Sequence, residues 1–352
     1  MAGLTDVWGT GMFTYECLPM ADGGEGTVAA FLETGATERR ATVRGPLGEP
    51  VVAGYARNGD VAIVEMASAS GLALLGERRS PLYASTFGTG ELIRDALDGG
   101  ARRIVLGIGG SATTDGGAGA LAALGARFIG ADGALLLPYP AGLATLAAID
   151  VSRLDARLAG VPLSVPCDVT NPLLGPAGAA AAYAPQKGAT GEDVAYLEAF
   201  LTRFADIAAR TTGNDLRALP GTGAAGGLGY GLATFAGASL ARGFALVAEL
   251  RDFAARLSGA ALCVTGEGRI DRQTLDGKVV DGVAAMAARA GVEVVAFGGS
   301  VDATAEAMLG ARGVACLPIV PGPMELDTAM RRAPLLIRDA AARFARLRRA
   351  PV

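Results

Sequence analysis

Five segments concentrate glycine with carboxylates, amides or hydroxyls, all but the fourth just after a predicted strand. They are PMADGGEGT (19–27), GIGGSATTDGG (107–117), CDVTNPLLG (167–175), PGTGAAGG (220–227) and TGEGRID (265–271), the last running on to Gln273, Thr274, Gly277 and Lys278. Glycine lets successive backbone N–H groups face an anion, and a helix that starts next adds partial positive charge at its N-terminus. Taken together, the five segments predict a phosphate-handling cleft.

Each polar residue in these segments also has a plainer reading. Asp168 follows an apolar strand and precedes Asn171-Pro172, a place suited to a Mg²⁺ ligand or a general base, or to an Asx-turn before proline. Asp22 and Glu25 flank a helix start that they could simply cap. Glu267 and Asp271 stand near Arg269 and Lys278, which is also the composition of a structural ion pair. Ser111, Thr113 and Thr114 are common turn and cap residues. Standard nucleotide motifs fit poorly. Gly107, Gly109 and Ala112 match G-x-G-x-x-A, yet no acidic residue closes a following second strand. Gly221, Gly223 and Gly226 match G-x-G-x-x-G, but Pro220 precedes them and no strand does. Gly277-Lys278 is followed by Val279, so there is no P-loop.

Composition narrows the chemistry further. The 352 residues contain no histidine, which removes Ser-His and Cys-His pairs and His-ligated metals; proton transfer falls to Asp, Glu, Lys or Tyr. Cys17, Cys167, Cys263 and Cys316 are widely spaced and form no C-x-x-C, which fits a reducing cytoplasm. A net charge of −4 argues against nucleic acid as partner. The arginines at 338, 343, 346, 348 and 349 read as the wet face of a C-terminal helix. No apolar run is long enough for a membrane span. With 51% hydrophobic and 19% charged residues the chain should be globular, with material for about two domains.

Residues 13–18 read as a strand and 24–34 as a helix. Residues 37–43, 51–56 and 61–66 form an antiparallel meander with a hairpin at Asn58-Gly59. Helix and strand then alternate: helices near 88–99, 116–125, 192–210, 278–290 and 302–311, and strands at 103–107, 161–165, 261–265, 292–297 and 314–319. The fold class is α/β: a Rossmann-like, doubly wound parallel sheet domain (1–35 and 248–352) interrupted by a second mixed α/β domain (36–247), with the active site expected in the cleft between them.

At this length the motifs resemble the first class of glycerate kinases. The resemblance rests on PMADGGEGT, GIGGSATTDGGAG (107–119), CDVTNPLLGPAGA (167–179), PQKGA (185–189), PGTGAAGGLG (220–229), GEGRIDRQTLDGK (266–278) and PGPMELDTAM (321–330). It implies ATP and Mg²⁺ as cofactors, D-glycerate as substrate, 2-phosphoglycerate as product before 3-phosphoglycerate, and a small-molecule enzyme without nucleic-acid or membrane partners that could form a homodimer. It also implies roles. Asp168 accepts the proton of the substrate hydroxyl or holds Mg²⁺, and Asn171 orients the same group. Gly109, Gly110, Ser111 and Thr113, with Gly223 and Gly226, cradle phosphates, and Lys278 neutralises the transferred group. Asp22, Gly23, Gly24, Glu25, Glu267, Arg269 and Asp271 serve the substrate, Arg269 and the 23–26 backbone taking its carboxylate. An NAD-linked hydroxyacid dehydrogenase and a kinase relic that only binds ligand are the alternatives. Members of the family usually begin upstream with an apolar strand ending A-P-D-S-F-K. The expectation here is a mis-assigned start and, for the chain as given, an open slot in the parallel sheet with compromised activity.

Overall fold

The computed structural model describes residues 1–11, 13–24 and 26–348, with Asp276 described by its backbone alone. The chain divides into two compact units, residues 23–243 and residues 1–22 joined with 244 onward.

The continuous unit opens with the meander. Strands β1 (Thr37–Arg44), β2 (Pro50–Asn58) and β3 (Val61–Glu65) pair antiparallel, and Asn58 faces Val61 across a turn in which Gly59 takes φ 60°, the left-handed value this hairpin demands. Next come β4 (Arg103–Gly107), the separate antiparallel pair β5 (Arg127–Gly130) and β6 (Leu146–Asp150), then β7 (Leu163–Pro166) and β8 (Ser239–Ala241). The main sheet runs β1-β2-β3-β4-β7-β8, parallel from β3 onward. Helices cover it because their apolar positions recur at helical spacing. In Gly191–Thr212 the residues Leu197, Leu201, Phe204 and Ala208 are all buried, and Thr190 with Asp193 forms a capping box at its start. Phe204 centres an aromatic cluster, with ring centroids 6.0 Å from Phe200, 6.1 Å from Phe128, 6.2 Å from Tyr230 and 6.4 Å from Phe235. Because β3, β4 and β7 are parallel, their carboxyl ends open on one edge.

The discontinuous unit holds the three-stranded parallel sheet β11-β10-β9, with β9 (Leu262–Ile270), β10 (Glu293–Val301) and β11 (Val314–Pro318). Helices Val279–Ala290 and Ala303–Gly310 supply the crossovers. Alternate residues of β10 enter different cores: Val294 and Ala296 pack with Val280, Val283 and Phe253, whereas Val295 and Phe297 pack with Leu4, Leu336 and Ala340. The sheet is therefore covered on both faces. On the second face, helix Ala2–Trp8 lies against helix Ala333–Leu347. There the Trp8 indole donates to the carbonyls of Ala345 and Arg348, both at 2.9 Å, and Arg338 pairs with Asp6 at 2.7 Å.

The meander, the helices and the buried strands lie where periodicity places them, but the strand expected at 13–18 does not form. That stretch makes no ladder; Phe13 instead sets its ring edge-on to Trp8 at 5.4 Å, while Leu18 and Met20 pack against the core under β9. Side-chain packing on both layers holds it without strand pairing. Strand β9 has a partner on one side only among the described residues. Beside it lies a cavity of about 1350 Å³ with Trp8, Phe13, Met20, Val264, Val283 and Ile337 in its walls. Among the described residues no helix is long and apolar enough to cross a membrane, and Arg349 lies outside them.

Candidate active site

In the continuous unit, three of the glycine-rich segments leave the carboxyl ends of parallel strands or lean on those that do, the usual place for ligands in such sheets. The loop after β4 is tied down on several sides. The N–H of Leu72 donates to the carbonyl of Gly110 at 2.8 Å, Ala112 donates to Ser70 at 2.9 Å, and Gly116 donates to Gly226 at 2.9 Å. Its tip is the accessible part: Gly110 is exposed and Ser111 half-buried. Thr113 and Thr114 point inward, fully buried, and their hydroxyls have no hydrogen-bond partner. Direct phosphate contact by Thr113 is therefore not offered by this conformation; Ser111 and the loop N–H groups remain.

Asp115, which the sequence reading left unassigned, anchors this loop. Its fully buried carboxylate accepts from the N–H of Thr86 (2.7 Å), the hydroxyl of Thr86 (2.8 Å), and the N–H groups of Gly117 and Gly119 (both 3.1 Å). Burial pushes its pKa up, against those hydrogen bonds. Lys187 approaches from the PQKGA turn. It is also fully buried, donates to the carbonyl of Thr113 at 2.5 Å, and is pulled down to about 7 by burial, with Asp115 opposing.

The loop after β7 carries Asp168, half-buried, with one carboxylate oxygen accepting from the N–H of Gly243 at 3.0 Å. Next to it, burial raises the Cys167 thiol. Asn171 has its amide engaged within the loop: it donates to Ala177 at 2.7 Å and accepts from the Tyr183 hydroxyl at 2.7 Å. Both contacts lie within the loop, which Asn171 thereby shapes.

The two 220–227 glycines proposed for phosphate are packing glycines. The Gly223 N–H donates to Asn171 at 2.9 Å, and a Cβ on it would lie 2.1 Å from the Pro172 carbonyl. Gly226 has φ 67°, and a Cβ there would lie 2.1 Å from the Thr113 carbonyl. Only glycine lets this segment seat against the 107–117 and 167–175 loops. Gly23 plays a related part at φ 82°, where a Cβ would meet Pro166 at the end of β7 at 2.1 Å, so the 23–24 backbone is held beside the Asp168 loop. Helix Thr27–Leu32 starts at Gly26 without a side-chain cap from its own segment; Glu65 at the end of β3 accepts from the Val28 N–H at 2.9 Å instead. Glu25 lies outside the described residues.

In the discontinuous unit, Glu267 and Arg269 belong to β9 itself, paired in register with Gly298 and Ser300, and not to a loop beyond it. Edge position allows the strand to continue through a glycine-rich stretch that carries little strand propensity. Glu267 accepts from the Thr274 hydroxyl, and burial, the dominant influence, raises its carboxyl above the ordinary range. Asp271 caps the following turn, accepting from Gln273 at 2.9 Å, and pairs with Arg269 at 3.1 Å. The Lys278 amine stands 3.4 Å from the Gln273 side-chain oxygen, its backbone capping helix Val279–Ala290. Asp22 ends the first segment of this unit, half-buried.

Residues 2–349 match the family model of the glycerate kinase family. The chain belongs to the glycerate kinase family. It is 46% identical to a glycerate kinase of Halalkalibacterium halodurans over 335 residues, covering 94% of this chain and 88% of the relative. It is 45% identical to the glycerate 2-kinase of Escherichia coli over 291 residues, covering 82% and 76%. A crystal structure of a glycerate kinase 2 from Salmonella typhimurium LT2 superposes with a TM-score of 0.87 at 45% identity, covering 98% of this chain and 91% of that one. The α/β fold and kinase activity of the glycerate kinase family thus hold for this chain, and the hydride-transfer alternative gains no support.

Proposed function

We propose that the chain transfers the terminal phosphoryl group of ATP to the 2-hydroxyl of D-glycerate, giving 2-phosphoglycerate and ADP. The observation that carries the reading is the strand-end arrangement in residues 23–243. An accessible loop tip, Gly109 to Ser111, and one half-buried carboxylate, Asp168, leave adjacent parallel strands β4 and β7. The name glycerate 2-kinase on the E. coli relative favours the 2-hydroxyl.

Phosphoryl transfer asks chiefly for positioning and charge neutralisation. In this reading the N–H groups and the Ser111 hydroxyl at the tip hold nucleotide phosphates, and Asp168 receives the proton of the attacking hydroxyl. Gly23 and Gly24 present backbone N–H groups to the glycerate carboxylate. Within the discontinuous unit, Arg269 and Lys278 are the cations assigned to substrate, with Glu267 and Asp271 setting their orientation. Asp22 remains a candidate substrate contact. Among the described residues no three His, Cys, Asp or Glu side chains could together hold a metal. Mg²⁺ ordinarily arrives on the phosphates and takes one or two carboxylates plus water. Asp168 would be its protein ligand, and the ion would supply charge neutralisation.

The test is ADP release from Mg-ATP with and without D-glycerate, with phosphorus NMR of the product. Formation of 2-phosphoglycerate is the expected result, and exclusive 3-phosphoglycerate would overturn the regiochemistry. Asp168→Asn should lower kcat on the order of 10²- to 10⁴-fold while leaving the melting temperature near that of the parent. Intact turnover in that variant removes Asp168 from the chemistry.

A further inference from the structure

Lys187 has no place in the reaction as described, yet its burial is unusual: a lysine is almost never fully enclosed unless a partner compensates. The partner sits in the phosphate loop. Lysine 187 lies on the short turn Pro185–Lys187, closed by Gly188 at φ 94°, and its amine donates to the Thr113 carbonyl at 2.5 Å. That carbonyl also faces Gly226, where a Cβ would lie 2.1 Å from it. Two residues on, Asp115 fastens the other end of the loop through four hydrogen bonds that its carboxylate accepts, two of them from N–H groups at the start of helix Ala118–Ala123. The segment between tip and anchor includes the two buried hydroxyls, of Thr113 and Thr114, that have no hydrogen-bond partner. The Thr113 and Thr114 side chains do not hold the loop; backbone bonds at Gly110 and Ala112 do, and Lys187 adds a side-chain bond to the Thr113 carbonyl.

We propose that Lys187 is a positioning residue for nucleotide: pinned to the Thr113 carbonyl, it fixes the backbone from Gly109 to Asp115 so that the loop tip meets the phosphates, without itself touching substrate. This rests on the reading that the tip of the 107–117 loop binds nucleotide. The amine has no surface from which to reach a ligand, which separates this role from that of a phosphate-binding lysine. Its effect should therefore fall on one substrate.

The test is steady-state kinetics on Lys187→Met and Lys187→Gln, with amide hydrogen exchange across 109–117. Lys187→Met should raise the KM for Mg-ATP on the order of 10²-fold, while the KM for D-glycerate moves by less than about twofold. Its 109–117 amides should exchange faster while those of β4 stay protected. Lys187→Gln, which keeps an N–H donor on a shorter stem, should fall between, and it carries the comparison if the Met variant does not fold. Equal rises in both KM values, or unchanged exchange in the loop, would overturn the proposal. Ser111→Glu separates the two levels. If it binds Mg-ATP as tightly as the parent, the loop is not the nucleotide site and both readings fall. If it loses the nucleotide while Lys187→Met keeps parental KM values, only the role of Lys187 fails.

Discussion

The two units use the same composition, glycine interleaved with carboxylates, to opposite ends. In residues 23–243 the glycines lie where backbones meet: Gly223 and Gly226 have no room for a methyl group, and the loops they join hydrogen-bond to one another. In the discontinuous unit, Gly268 stands in an edge strand with nothing within 4 Å of where a Cβ would be, beside a wide cavity. Glycine in the first case removes steric conflict, and in the second it leaves a strand thin and accessible. Close packing therefore sets the need for glycine at 223 and 226, and open space surrounds it at 268.

Truncation in the cores should show the contrast most strongly. Phe204→Ala, at the centre of five aromatic rings, should cost about 3–5 kcal/mol by chemical denaturation. Phe253→Ala, which borders the existing cavity, should cost clearly less because the space it vacates is already continuous with a void; equal costs would erase the distinction. Next is the glycine pair. Gly226→Ala combines a left-handed backbone with a backbone clash and should cost about 2–5 kcal/mol, against about 0.5 kcal/mol or less for Gly268→Ala.

A third comparison uses pH. Lys187 titrates near 10.5 in the unfolded chain and about 7 when folded, so between those values the unfolded chain binds more protons. Stability should therefore rise with pH across about 7 to 10.5, the burial penalty being fully present below that window, and Lys187→Met should lose the rise. Glu267 behaves oppositely: its folded pKa lies above 4.5, so stability should fall as pH rises through the interval just above that value, and Glu267→Gln should lose the fall. Thermal melts across pH check both. The smallest effect is expected at Arg269, whose side chain is 74% exposed: breaking its pair with Asp271 should change stability by about 0–1 kcal/mol, so a larger loss of glycerate affinity in Arg269→Ala would be functional in origin.

What could be read from the sequence was whatever local pattern decides. Asn58-Gly59 dictates its hairpin, and the spacing of Leu197, Leu201, Phe204 and Ala208 dictates its helix. Strand β8 escaped because three residues, Ser239–Ala241, carry no period, and the β5–β6 pair because its register depends on packing elsewhere. In the site, Asp168 and the 107–117 loop stood out through their position after strands. At Gly223 and Gly226 the carbonyl neighbours could not be foreseen, because the signature of close approach is the same whether the approaching group is a phosphate or a carbonyl. That the Asn171 amide meets Tyr183 and Ala177 was not legible, because the folded loop alone fixes that pairing. Lys187 was hidden by its type: nothing in one sequence distinguishes a buried lysine from the many that are solvated.

The pairing of helix Ala2–Trp8 with helix Ala333–Leu347 has a consequence for how the molecule is made. Residues 23–243 can complete their contacts once that stretch has left the ribosome, whereas the first helix waits for a partner some three hundred residues later, roughly 15–60 s at ordinary synthesis rates. Throughout that interval Leu4 and Trp8 lack the surface that later buries them. The nascent chain thus carries a folded body preceded by an apolar helix still without its partner, the kind of species that chaperones retain and that aggregates when synthesis outpaces them.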